Sequence, residues 1–183
     1  MRIPRTFTFV DLSGFTNYTA AFGDDAAGRL LGAFRTVTRE VASERGVRIA
    51  KWLGDGLMLV SVNQADSIAF ALELEHRAAD ICAPLAVRTG IASGYALLFE
   101  GDDYIGSAVN MAARLCDAAG PYDTLIPAMQ MERLPAGVIA TPFGSLELHG
   151  FPGPIEVMEL SGRPESYDRL DTGELWTRMP FAG

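Results

Sequence analysis

Residues 5–11 alternate between polar and apolar and then run apolar up to Asp11, which predicts a central strand. A Gly-containing turn at Ser13-Gly14 leads from it into a polar helix start. From Asp24, which follows Gly23 and carries a capping signal, apolar residues recur at Ala26, Leu30, Phe34, Val37 and Val41. That spacing is helical, and Gly46 stands where a left-handed C-terminal cap belongs. The stretch VRIAKWLGDGLMLVSV divides into two strand-like halves at Gly54-Asp55-Gly56, and Asp-Gly between apolar runs predicts a hairpin. Residues 64–83 predict a helix with Ile68, Ala71, Leu72 and Leu74 inward, closed by Pro84. LAVRTGIASGYALLF (85–99) reads as a strand pair or as one bent strand, with Gly90 and Gly94 as bend points. EGDDYIG reads as a turn. SAVNMAARLCDAAG then predicts a short helix ending at Gly120-Pro121, and residues 123–127, 138–148 and 154–160 predict short strands.

That order implies an α+β fold: a ferredoxin-like βαββαβ core with a largely antiparallel sheet, helices covering one face, and further C-terminal strands. At 183 residues the simplest division is one domain over 1–161 followed by a C-terminal extension, 162–183. The extension is polar, with aromatics near Trp176 and Phe181. It reads as an arm packing on the surface or on a partner, or as a partly disordered tail.

Net charge is −8 with no local Lys/Arg cluster, which argues against a nucleic-acid backbone as partner. A nucleotide ligand stays open, because a divalent cation can carry the countercharge. The apolar run before Asp11 is too short for a signal peptide, and no uninterrupted run approaches the ~18 apolar residues of a membrane span. Cys82 and Cys116 are isolated and read as buried thiols in a reducing compartment, so a cytoplasmic location without membrane attachment is expected. No sensor or regulatory segment is visible.

The candidate chemistry lies in FTFVDLSGFT (7–16) and KWLGDG (51–56). Each apolar run closes on an acid beside glycine-relaxed backbone, which is how a protein holds divalent metal against a polyphosphate. Taken singly, Asp11 reads as a helix cap and Asp55 as a turn residue. Lys51 alone reads as a solvated strand position and Trp52 as a core anchor. Asn110 and Arg114, four residues apart, read as a pair on one helix face.

Together, in this order, these positions resemble the class III nucleotidyl cyclase catalytic domain, most of whose members are adenylate cyclases. The likeness runs from about Arg5 to about Leu160. FVDLSGFT is similar to the first metal motif, which implies that Asp11 and the carbonyl of Leu12 ligate two ions, Mg²⁺ or Mn²⁺. The turn of Ser13, Gly14, Phe15 and Thr16 would then offer N–H groups to the β- and γ-phosphates. KWLGDG is similar to the second block, with Asp55 the other metal carboxylate and Lys51 the reader of adenine. DYIGSAVNMAARL is similar to the third: Asp103 would accept from the adenine amino group, Asn110 orient the ribose and Arg114 stabilise the α-phosphate. Lys51 as donor and Asp103 as acceptor match adenine and mismatch guanine, so ATP is the expected substrate and cyclic AMP the product.

The resemblance also implies a homodimer that divides these roles between two copies of the chain. Asp103 follows Gly94 closely, so the connecting arm is short, as in a bacterial subgroup with a trimmed dimerisation arm. Where many members have a phosphate-contacting Lys, this sequence has LELHGFPGPIEV, with His149 as a weak substitute or a structural residue. Three other readings compete: a guanylate cyclase, a silent nucleotide-binding dimerisation module, and an unrelated metal-dependent phosphotransferase. No P-loop, GxSxG elbow or zinc-type Cys/His spacing gives other common enzyme classes a foothold.

Overall fold

The computed structural model describes residues 2–100 and 103–165; Trp176, Phe181 and most of the expected C-terminal extension lie outside them. In chain order the elements are β1 (Arg2–Ser13), α1 (Phe15–Phe22), α2 (Asp24–Arg45), β2 (Arg48–Leu53), β3 (Gly56–Ser61), α3 (Gln64–Ile81) and β4 (Ala86–Phe99). Then follow β5 (Asp103–Ile105), α4 (Ser107–Ala118), β6 (Thr124–Pro127), β7 (Val138–Glu147) and β8 (Pro154–Gly162). One sheet runs β2-β3-β1-β4-β6-β8-β7, with β5 on β4. Only the β4–β6 pairing is parallel among those described. The first four strands lie in the order 2-3-1-4, the ferredoxin-like arrangement expected from the sequence.

β1 is central and buried on both faces, which explains its nearly unbroken apolar run. Val10 and Leu12 pack with Phe34, Val41, Leu57, Leu59, Phe70 and Leu74 beneath α2 and α3. Phe7 packs the other way, with Met58, Ala92, Ala112 and Leu115 beneath α4. The helices therefore cover both faces, not the single face that element order suggested. Gly90 makes the second layer possible. A Cβ there would lie 2.2 Å from Ala112 O and 2.3 Å from Cys116 N, so α4 touches the bare strand. Gly90 is thus a point of helix approach in one continuous strand of 14 residues rather than a bend between two.

Two local expectations also change. The segment Phe15–Phe22 is a helix of its own, and α2 is capped by Gly23 with Asp24 and Asp25 already in its first turn. Those two acids complement the helix dipole without a side-chain capping bond. EGDDYIG is more than a turn, since Asp103–Ile105 pairs with Leu97–Phe99. Gly46 has the expected left-handed conformation, φ +66°. Cys82 and Cys116 are buried free thiols, pushed by burial to about 11 and about 12.

Half-buried Glu75 on α3 is pushed up to about 7, mainly by burial, with Glu159 on β8 and Asp123 before β6 adding like charge. The unfolded chain loses this proton near 4.5 while the folded chain keeps it. Stability therefore falls as pH rises between about 4.5 and 7, and the penalty is complete above. Glu75→Gln is expected to raise Tm by a few degrees near pH 8, at about 2–4 °C per kcal/mol for a domain of this size. In thermal melts across pH the gain should vanish near pH 4; a constant gain would point to packing instead of charge.

Candidate active site

Asp11 sits at the C-terminal end of β1, opposite Arg88 on β4. Arg88 donates from Nε at 2.9 Å and Nη2 at 2.5 Å to Asp11 Oδ2, and from Nη1 at 3.2 Å to the Asp117 carbonyl on α4. The β2–β3 turn brings Asp55 to the same place. Its neighbour Gly56 lies so close to β1 that a Cβ would stand 3.1 Å from Asp11 Oδ1 and 2.9 Å from Val10 O. The Asp55 carboxyl is raised from its ordinary value, first by burial, with the charge of Asp11 contributing. Two acids 44 residues apart in sequence thus share one pocket of charge, which Arg88 partly neutralises.

These residues fit a hard divalent cation. Leu12 is 1% exposed with its side chain in the core, so its backbone carbonyl is what it can offer. Among the described residues no group of three or more His, Cys, Asp or Glu could hold a metal. A cation held here would have Asp11, Asp55 and backbone oxygen as its protein donors, leaving positions for water and phosphate, as Mg²⁺ prefers. β1 continues through Ser13, and Gly14, φ +86°, turns the chain into α1 within a single residue. The first bond of α1 runs from Tyr18 N to Gly14 O, so the N–H groups of Phe15 and Thr16 have no intrahelical acceptor.

Lys51 owes its orientation to a bulge. The β2–β3 register shifts between Ile49 and Lys51. Ile49 and Trp52 both pack on the α2 side while Ala50 packs on the α4 side. Three positions separate Ile49 from Trp52, so simple alternation would put them on opposite faces. The extra residue lets Lys51, paired with Met58, share the α4 face. There Lys51 Nζ donates to Asp103 Oδ1 at 2.5 Å, both side chains being about half exposed.

α4 presents Asn110 and Arg114 on one face, and both line an open cleft of about 580 Å³ with Ile105, Gly106, His149 and Phe151. Asp11 and Asp55 do not line it. Arg114 pairs with Asp117 at 2.9 Å. The sequence-predicted residues therefore fall into three groups: Asp11 and Asp55 beside the α1 N terminus, Lys51 with Asp103, and Asn110 with Arg114 and His149. Asp117 links the first and third, accepting from Arg88 through its carbonyl and from Arg114 through its carboxylate. Sequence reasoning missed Arg88. Its signal was a lone arginine inside an apolar strand run.

No family model matches the chain. "Uncharacterized protein Rv2212" of Mycobacterium tuberculosis is 36% identical over 160 residues, 87% of this chain and 42% of that protein. A Streptomyces coelicolor protein named adenylate cyclase is 35% identical over 119 residues, 64% of this chain and 30% of that one. The chain thus spans less than half the length of these curated relatives. Among solved structures, the adenylyl cyclase CyaB from P. aeruginosa matches with a TM-score of 0.78, at 22% identity, over 91% of this chain and 97% of that one. The chain carries a class III nucleotidyl cyclase catalytic domain. The guanylyl cyclase Cya2 fits the cyclase domain as well, with a TM-score of 0.79 at 19% identity over 92% and 96% of the two chains. The fold alone therefore does not choose the base. No described helix of the domain is long and apolar enough to cross a membrane.

Proposed function

We propose that this cyclase domain converts ATP to 3′,5′-cyclic AMP and pyrophosphate, at sites shared between two copies of the chain. The convergence of Asp11 and Asp55 carries the reading: Asp55, raised by burial and by the charge of Asp11 beside it, gains from a divalent cation that offsets both. Mg²⁺ or Mn²⁺, two ions per site, supplies acidification of the ribose 3′-hydroxyl and neutralisation of the departing phosphates. Asp11, Asp55 and the Leu12 carbonyl hold the ions. The turn Ser13 to Thr16, where the Phe15 and Thr16 N–H groups lack intrahelical acceptors, would receive the β- and γ-phosphates, and Arg88, the cation that Asp11 faces, would add positive charge to the site. The 3′-oxygen bonds to the α-phosphorus as the bond to pyrophosphate breaks, and the hydroxyl proton passes to phosphate or water. Asn110 of the second copy orients the ribose. Arg114 meets the charge growing on the α-phosphoryl oxygens, for which a planar permanent cation is suited.

Lys51 and Asp103 support ATP over GTP. Adenine offers an N1 acceptor and an N6 donor, and this adjacent donor and acceptor answer both. Guanine reverses the pattern and would leave both groups mismatched. Product analysis of purified protein with ATP and with GTP, in each metal, tests the reading. Cyclic AMP is expected; dominant cyclic GMP, or binding without product, would refute it. Lys51→Glu combined with Asp103→Ser reverses the donor–acceptor order, and the ATP:GTP ratio of kcat/KM should fall by about 10²-fold or more. A ratio left unchanged would mean that the base is read elsewhere.

A further inference from the structure

We infer that Arg35 is a positioning residue that clamps the Asp55 turn, and through it the metal-binding geometry that the proposed function requires. Arg35 lies midway along α2, at the edge of the helix's apolar stripe. From there Nη2 donates to the carbonyl of Gly54 at 3.0 Å. Gly54, φ +71°, is the left-handed residue that opens the turn, and its carbonyl carbon is bonded to the nitrogen of Asp55. A contact to that carbonyl restrains the peptide plane from which the Asp55 side chain departs.

The guanidinium is itself held. Its carbon stands 4.9 Å from the centroid of the Trp52 ring, and that of Arg39, one helical turn on, stands 5.3 Å from the same ring. A planar cation on an aromatic face has its donor directions set by the stack, which lysine cannot reproduce. Among the described residues Arg35 has no acidic partner in an ion pair, and its buried Nε has no hydrogen-bond acceptor. Leaving a buried donor unmade is costly. The side chain therefore sits where the indole and the Gly54 carbonyl need it, not where its own bonding would be best satisfied. Trp52 adjoins Lys51 just past the bulge, so the same stack fixes the part of β2 that aims the proposed base reader. The clamp thus ties α2 to both the metal turn and the adenine-reading strand.

The test compares Arg35→Met, which keeps the stem but loses donor and charge, with Arg35→Lys, which keeps the charge without the fork. Three readouts are taken: backbone hydrogen–deuterium exchange of metal-free protein, Mn²⁺ binding by electron paramagnetic resonance, and cyclase kinetics against metal concentration. In Arg35→Met, exchange over 53–56 should quicken while β1 and α3 keep wild-type protection. Mn²⁺ affinity should fall by about 10–100-fold, as for other outer-shell partners of metal ligands. Turnover at saturating metal should stay within about threefold of wild type, placing the loss in metal binding and not in chemistry. Arg35→Lys should fall between the two. Wild-type turn exchange and Mn²⁺ affinity in Arg35→Met would overturn the assignment, as would protection lost throughout the sheet. If wild type makes no cyclic nucleotide yet Arg35→Met loosens the turn and Mn²⁺ binding, the clamp stands and the cyclase reading falls. If wild type cyclises ATP and Arg35→Met binds Mn²⁺ normally, the clamp alone falls.

Discussion

Asp11→Asn is expected to abolish cyclic AMP formation while leaving the fold in place. The substitution preserves shape and removes the charge that holds a divalent cation. Metal-based stabilisation of developing phosphate charge amounts to several kcal/mol, and each ~1.4 kcal/mol is tenfold in rate, so a loss of about 10³-fold or more follows. Stability should change little by comparison. Asp11 and Arg88 are each about one-quarter exposed, and the guanidinium keeps the Asp117 carbonyl as an acceptor. The substitution also removes a like charge from Asp55, whose carboxyl should titrate closer to its ordinary range. Steady-state rates at saturating Mn²⁺, read beside a thermal melt, decide the matter. Activity within tenfold of wild type would remove Asp11 from the chemistry, and with it the metal reading of the site.

Arg114→Ala should separate catalysis from stability more sharply still. Its partner Asp117 is three residues along the same helix, and both side chains are about half exposed. Pairs of that kind contribute at most about 1 kcal/mol to folding. A charged donor facing the α-phosphate is worth about 10²–10³ in rate. A folded, dimeric and nearly inactive protein is the expected result.

Mixing provides the decisive control. Neither Asp11→Ala nor Arg114→Ala chains should turn over alone. In an equal mixture half the dimers pair one of each, and each such dimer has one intact and one doubly damaged site. About one quarter of wild-type activity should therefore return. A mixture no more active than its parents would mean that each chain builds its site from its own residues.

The positions that carry these predictions were legible because each is punctuated locally. An apolar run ending in an acid beside glycine marks β1, and a second marks the β2–β3 turn. A four-residue spacing places Asn110 and Arg114 on one face of α4, where both line the same cleft. α2 was readable from Leu30, Phe34, Val37 and Val41, all of them buried. α1 was not, because none of its residues is buried and no apolar stripe sets it apart from α2. Arg88 escaped notice because its meaning depends on a partner 77 residues away. Arg35 escaped notice too, because Trp52 and Gly54, which give it meaning, are brought beside it only by the fold.

The sequence by itself determined the kind and order of most elements, α1 and β5 excepted, and the acids at the strand ends, since these follow from periodicity and turn chemistry within a few residues. Tertiary structure alone decided which face each helix covers, because strand alternation permits either. Gly90 admits α4 to the face opposite α2 and α3 by leaving no side chain in its way. It also decided where Lys51 points, since the bulge at Ala50 shifts alternation by one residue and no composition rule foretells it. The meeting of Asp11 with Asp55 belongs here too: strand pairing across the sheet, not spacing along the chain, sets how close two carboxylates come.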